Sequence, residues 1–190
     1  AMSPQNPVFI PGPTNIPESL RKACDMPTID HRSAVFGQIL HPAREGVRTV
    51  IKSRTAEVFL FPGTGTGGWE TALTNTLRPG DNVLAARNGM FSQRWIDMCR
   101  RLGLKVEVIE VPWGQGLPAD RMGEILAADT GHRIRAVLAT HNETATGVRS
   151  DIAAIRRALD ASGHPALLLV DGVSSIGSMD FRFDDWGVDV

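Results

Sequence analysis

The chain has 190 residues, 42% of them hydrophobic and 22% charged, which is ordinary usage for a folded domain and excludes extensive disorder. Twenty Lys and Arg residues against 21 Asp and Glu residues leave a net charge of -1, without the basic surplus that is typical of nucleic-acid binders. We therefore expect small-molecule partners and neither nucleic acid nor membrane.

The N-terminal residues lack the basic and apolar segments of a secretory signal, so a cytoplasmic location is expected. Cys24 and Cys99 are too few and too far apart for a disulfide framework or a C-x-x-C site. We interpret them as free thiols.

In chain order, the pattern begins with a proline-rich arm at 1–16, followed by two short helices that start at Pro17 and Pro42. Strands then alternate with helices. The predicted strands are 56–61, 82–87, 105–111, 134–140 and 166–171. The predicted helices between them are 66–77, 91–103, 119–129 and 150–163.

This alternation predicts an α/β fold with three layers and a mostly parallel sheet, because parallel neighbours need a long crossover connection. Residues 134–140 and 166–171 are continuous apolar runs, which is typical of strands buried on both faces. Ligands of such sheets bind at the carboxyl ends of the strands. The loops that follow the strands are therefore the candidate functional segments.

A glycine-rich loop, 62–68, connects the first strand to the following helix. Backbone amides, the helix dipole and the hydroxyls of Thr64 and Thr66 converge there, which suits a phosphate group. The loop also matches G-x-G-x-x-G, so an NADP-dependent oxidoreductase that uses Arg87 stays an alternative. A purely structural glycine turn is a second alternative.

Asp171 ends a buried apolar strand, where a carboxylate needs a cation or several hydrogen-bond donors. No metal-binding spacing accompanies it, so we expect no metal site; the protonated nitrogen of a pyridine ring is another partner. The polar loop 140–147 is typical of a binding site, although a capped turn explains it almost as well. Phe91 could stack on a ring, but a lone Phe is more often part of a core.

Taken together, seven segments resemble the class V aminotransferases of the pyridoxal 5'-phosphate (PLP) fold type I, especially the serine–glyoxylate and alanine–glyoxylate branch. They are 11–17, 30–33, 61–70, 77–84, 88–95, 140–147 and 167–175. The resemblance implies that 1–16 is an N-terminal arm and that 17–190 is the N-terminal part of the PLP-binding large domain. The rest of that domain and a small C-terminal domain are expected outside this chain.

The resemblance implies PLP as the cofactor, with Asp171 as the partner of its ring nitrogen. The other implied cofactor contacts are Thr64, Gly65 and Thr66 at the phosphate, Phe91 and Val173 on the two ring faces, and Thr144 near the phenolic oxygen or the substrate. Segments that approach the substrate in the family contain Gly12, Thr14, Asn15, His31 and Arg32.

The implied activity is transfer of an amino group from serine, alanine or aspartate to glyoxylate, which yields glycine and a 2-oxo acid. A homodimer with its active site at the subunit interface is implied too. The family's Schiff-base lysine is expected just beyond residue 190, so this segment alone is not expected to catalyse the reaction. A ureidoglycine–glyoxylate aminotransferase and a non-catalytic fragment stay open as alternatives.

Overall fold

The structure, a computed structural model, describes residues 7–190, so the first six residues of the predicted arm lie outside the described part. The chain divides into two compact units, one extending to Gly46 and the other running from Val47 to Val190. None of the helices among the described residues is long and apolar enough to cross a membrane.

From Asn82 onward the helices and strands alternate as predicted, except that two short strands that were not predicted, 142–143 and 148–149, follow the strand at 134–140 directly. The helices are α1 (Glu18–Cys24), α2 (Ala34–Val50), α3 (Gly65–Thr76), α4 (Met90–Arg101), α5 (Ala119–Ala128) and α6 (Ile152–Ser162). The strands are β1 (Asn82–Arg87), β2 (Lys105–Glu110), β3 (Ile134–Thr140), β4 (Asn142–Glu143), β5 (Val148–Arg149) and β6 (Leu167–Asp171).

The start of α2 differs from the prediction. The helix begins at Ala34 and contains Pro42, which the sequence pattern had indicated as its start. A proline inside a helix removes one hydrogen bond and usually favours a helix start instead. Here Val35 and Ile39 lie four residues apart, so helical spacing of apolar residues extends upstream of the proline and favours the longer helix.

The main sheet has the strand order β2-β1-β3-β6, and all its strands are parallel. The chain passes from β1 to β2 on one side and then to β3 on the other side of β1. The connections therefore diverge between β1 and β3, which is where open α/β sheets bind their ligands. This arrangement confirms the predicted α/β fold with a mostly parallel sheet.

Helices cover both faces of this sheet. Because side chains alternate along a strand, Val83 and Ala85 of β1 pack in one apolar cluster, and Leu84 and Ala86 pack in another. The first cluster contains Trp69, Leu73, Trp95, Ile96 and Cys99 of α3 and α4. The second contains Met122, Leu126, Ile152, Ile155 and Leu159 of α5 and α6. The three predicted layers are thus present.

The strand predicted at 56–61 is wrong, because these residues have no strand pairing in the structure. Phe59 and Phe61 are instead largely exposed. Apolar composition predicts where a strand can form, but a strand also needs a neighbour that pairs with its backbone. At the edge strand β6, the carbonyl of Val190 accepts a hydrogen bond from the Val170 amide at 2.8 Å.

Candidate functional site

The candidate site lies at the carboxyl edge of the sheet, where the loops after β1, β3 and β6 meet the start of α3. Parallel pairing sets Thr140 opposite Asp171 at the ends of β3 and β6. The His141 amide continues this ladder with a hydrogen bond to the Asp171 carbonyl at 3.0 Å. Farther out, Asn142 Nδ2 donates to Ser174 Oγ at 2.8 Å, so the two loops are held together.

Asp171 is partly buried, and its carboxylate has two hydrogen-bond donors. Its Oδ2 accepts from Trp69 Nε1 at 3.0 Å, and its Oδ1 accepts from the Val173 amide at 2.9 Å. Burial raises the pKa of this carboxyl, the two donors oppose that shift, and the negative charge of Glu143 adds to it. Both donors are neutral, so a cation beside the carboxylate would stabilise its ionised form.

The start of α3 lies against the loop that follows Asp171. Thr64 is the N-cap residue, and its Oγ1 accepts a hydrogen bond from the Gly67 amide at 3.2 Å. A Cβ atom on Gly65 would lie 3.1 Å from Val173 Cγ2, so glycine permits this close approach. The Gly67 amide is thus already bonded, whereas the amides of Gly65 and Thr66 precede the first intrahelical hydrogen bonds and can bind an anion.

Val173 presents an apolar side chain at this edge, because 73% of its surface is exposed although it follows a buried strand. Phe91, in the first turn of α4, is partly buried at the end of β1. Phe91 thus follows β1 and Val173 follows β6, the two strands that flank β3. Their predicted contacts with the two faces of a ring stay predictions.

Glu143 links the loop after β1 to the loop after β3. It is fully buried, and its carboxylate accepts hydrogen bonds from the amides of Phe91 at 3.1 Å and Ser92 at 3.0 Å. Thr144 follows directly and is partly buried. The predicted residues Phe91 and Thr144 are thus brought together through a residue that the sequence had not singled out.

The five predicted substrate residues belong to the N-terminal unit. All of them are exposed there; they are Gly12, Thr14, Asn15, His31 and Arg32. The side-chain oxygen of Asn15 accepts a hydrogen bond from the Val8 amide at 2.8 Å, and the Arg32 amide donates to Asp30 at 2.9 Å. These contacts are local, and a role of the five residues in substrate binding stays a prediction.

Arg87, the residue on which an NADP site would depend, is engaged elsewhere. Its guanidinium forms an ion pair with Glu110 of β2 and donates to Gln93 Oε1 at 2.7 Å. The strand expected before the glycine-rich loop is absent from residues 56–61 as well. Both observations argue against a dinucleotide site of the Rossmann type.

Within residues 7–190, no three His, Cys, Asp or Glu side chains cluster closely enough to bind a metal ion. Cys99 is buried, and burial raises the pKa of its thiol to about 12. Cys24 is an exposed free thiol.

Sequence reasoning missed two residues of this site, Trp69 and Glu143. Trp69 directly follows the glycine-rich loop 62–68, and a buried indole N–H needs an acceptor, so the sequence did contain a signal for this residue. Glu143 gave no local signal, because its partner Phe91 is 52 positions away in the chain.

Known proteins share the sequence and the fold of this chain. The model of the family described as "Aminotransferase class-V" matches residues 21–190. The L-aspartate–glyoxylate aminotransferase of Paracoccus denitrificans (strain Pd 1222) is 76% identical over 189 residues, which cover 100% of this chain and 48% of that protein. The serine–glyoxylate aminotransferase of Hyphomicrobium methylovorum is 55% identical over 182 residues, covering 96% of this chain and 45% of that protein.

A solved structure described as ureidoglycine–glyoxylate aminotransferase from Bacillus subtilis matches with a TM-score of 0.90 and 24% identity. The match covers 100% of this chain and 48% of that one, and it shows the shared fold. The chain therefore spans about half the length of the proteins it matches.

Proposed function

Because the chain belongs to the class V aminotransferase family, we propose that the whole protein transfers an amino group from a small amino acid to glyoxylate. The products are glycine and a 2-oxo acid. One observation carries the proposal: the partly buried carboxylate of Asp171, which has two neutral donors, lies at the carboxyl edge of the sheet beside the start of α3. Family members depend on PLP, and these residues fit that cofactor.

The fit rests on charge. Burial raises the pKa of the Asp171 carboxyl, and the nearby carboxylate of Glu143 raises it further. The two hydrogen-bond donors of Asp171 are neutral, and a protonated pyridine nitrogen would supply the cation that they do not. When bound, PLP supplies an electron sink for the substrate's α-carbon. Asp171 would hold a proton at the ring nitrogen and so preserve that capacity.

The remaining predicted residues would each contact a different part of the cofactor. The first-turn amides of α3 and the hydroxyls of Thr64 and Thr66 would bind the phosphate. Phe91 and Val173 would contact the two faces of the ring and exclude water from them. Thr144 would donate a hydrogen bond near the phenolic oxygen or to the substrate.

The lysine that carries the cofactor in this family is proposed to lie outside these 190 residues. The chain has three lysines. Lys22 is in α1, Lys52 pairs with Asp180, and Lys105 begins β2 at the opposite, amino edge of the sheet. Lys52 and Lys105 belong to the same compact unit as Asp171, and neither position suits a group that must reach the cofactor beside it.

Among the possible donors we propose aspartate first, followed by serine and then alanine. The support is the 76% identity to the L-aspartate–glyoxylate aminotransferase, against 55% to a serine–glyoxylate aminotransferase. The substrate residues of the N-terminal unit, His31 and Arg32 among them, would contribute to this choice.

We also propose a homodimer with the active site at the subunit interface. Apolar side chains that are exposed in the N-terminal unit support it, since a partner surface would bury them. They include Val8, Phe9, Leu20, Val35 and Ile39. Sedimentation analysis of the whole protein tests the dimer. A cytoplasmic location stays a prediction, which cell fractionation tests.

The decisive experiment combines cofactor binding with an amino-donor panel. The whole protein, purified as apoprotein and titrated with PLP, should develop near-visible absorption. It should then form glycine from glyoxylate with aspartate, serine, alanine or ureidoglycine supplied in turn, fastest with aspartate. Protein that stays colourless with PLP and binds NADP instead would contradict the proposal.

A further inference from the structure

Glu143 is the most deeply buried carboxylate at the candidate site, and none of the cofactor contacts proposed above uses it. Its exposed fraction is 0%. A charged group in such a place costs free energy unless several donors compensate it. The compensating donors of Glu143 therefore indicate what the residue does.

Those donors are backbone amides, and they come from two loops of the site. Oε1 accepts from Phe91 at 3.1 Å and from Ala145 at 3.3 Å, while Oε2 accepts from Ser92 at 3.0 Å. The amides of Phe91 and Ser92 belong to the first turn of α4, where a negative charge also interacts favourably with the helix dipole. One carboxylate thus joins the residue before Thr144 to the backbone that carries Phe91.

The Glu143 side chain packs against Gly89, and no residue larger than glycine fits at position 89. A Cβ atom on Gly89 would lie 2.3 Å from Glu143 Cγ and 2.4 Å from its Cδ. The loop after β1 therefore packs directly on the carboxylate, with glycine at the point of contact. Ser92 Oγ accepts a hydrogen bond from the Gly89 amide at 3.0 Å, which holds the loop against the helix start.

We propose that Glu143 is a positioning residue that holds Phe91 and Thr144 together for the cofactor ring, an inference that rests on the proposed function. Without the carboxylate, the first turn of α4 loses two charge-assisted hydrogen bonds, and Phe91 moves independently of Thr144. A stacking ring and a hydroxyl that are not fixed in advance must be ordered when PLP binds, which weakens binding.

The test compares two helix-capping carboxylates in the whole protein. Glu143→Gln is the test variant. Asp151→Asn is the matched control, because Asp151 caps α6 by accepting a hydrogen bond from the Ala154 amide at 2.9 Å and has no role in the proposed site. PLP is titrated into each apoprotein, and tryptophan fluorescence reports binding. The circular dichroism of the cofactor band is then recorded at saturating PLP.

We expect Glu143→Gln to raise the Kd for PLP by about tenfold, since ordering two side chains that are no longer fixed in advance weakens binding by roughly that factor. The cofactor band should also lose dichroic intensity at saturation, because the ring is held less firmly. Asp151→Asn should change the Kd by less than about twofold, since the two sites are independent.

Equal Kd values and equal dichroism in the two variants would overturn the inference and leave the proposed function intact. A wild-type apoprotein that does not bind PLP would overturn both. If Glu143→Gln does not fold, Glu143→Asp serves instead: it keeps the charge but ends one methylene short of the amides. The same weakening is expected there, and unchanged PLP affinity would overturn the inference.

Discussion

The indole of Trp69 donates a hydrogen bond to the carboxylate of Asp171 across 102 positions of the chain, with 3.0 Å between Nε1 and Oδ2. The same indole stacks on Trp95, with ring centroids 5.7 Å apart and planes inclined by 10°. The donor is therefore held in place by an aromatic neighbour. This pair sets the orientation of the carboxylate on which the proposed cofactor site depends.

Replacing Trp69 by Phe should weaken PLP binding by about tenfold, because it removes a hydrogen bond to a charged group and keeps an aromatic ring. Loss of the donor also raises the pKa of Asp171 further, since that hydrogen bond lowers it. Trp113→Phe is the control, because Trp113 is an exposed indole that contacts neither Trp69 nor Asp171. Equal PLP affinity in the two variants would argue against a role for the Trp69 donor.

Replacing Asp171 by Ala in the whole protein should lower kcat by at least about a hundredfold while far-ultraviolet circular dichroism stays unchanged. The physical reason is loss of the group that holds the proton at the ring nitrogen. Asp185→Ala, at an exposed surface position, is the control and should keep near-normal turnover. Activity of the Asp171 variant close to that of the control would contradict the assigned role.

Replacing Thr66 by Ala should mainly raise the Kd for PLP, by roughly tenfold, because a hydroxyl donor to the phosphate is lost. Turnover at saturating PLP should change little. Thr71→Ala on the same helix is a suitable control, since the Thr71 hydroxyl donates to the Gly67 carbonyl at 2.8 Å instead. Titration of both apoproteins checks this, and an unchanged Kd for the Thr66 variant would count against the phosphate assignment.

A pH-dependent part of the stability should come from Asp129, at the amino end of β3. Its carboxylate accepts hydrogen bonds from the Ile134 amide at 2.7 Å and from His164 Nε2 at 3.2 Å. Burial raises the pKa of this carboxyl, but the hydrogen bonds outweigh burial and hold it below its usual value. Its stabilisation is therefore complete above the unfolded pKa and is lost as pH falls through the folded one.

Asp129→Asn should accordingly lower the free energy of unfolding at neutral pH. The difference from wild type should shrink as pH falls below about 4, the ordinary pKa of an aspartate. Urea denaturation at neutral and acidic pH measures both values. A difference that stays constant across this range would show that ionisation of Asp129 contributes nothing.

Much of the fold follows from local patterns. The strands at 82–87, 134–140 and 167–171 and the helices between them were predictable, because apolar spacing and terminal Gly or Asp residues act within a few positions. Asp171 could be singled out for the same reason. A carboxylate directly after a buried apolar run needs a partner, wherever that partner lies in the chain.

Tertiary structure decided which partner that is. Trp69 reaches Asp171, and Glu143 reaches Phe91, only because the strand order β2-β1-β3-β6 sets the ends of β1, β3 and β6 side by side. Residues 56–61, which form no strand, also show that local sequence does not decide pairing between distant segments. Its composition suits a strand, but backbone pairing is a property of two segments. The sequence by itself therefore determined most of the helices and strands, the family and residues such as Asp171, whereas packing of distant segments decided how those residues are held and added Trp69 and Glu143.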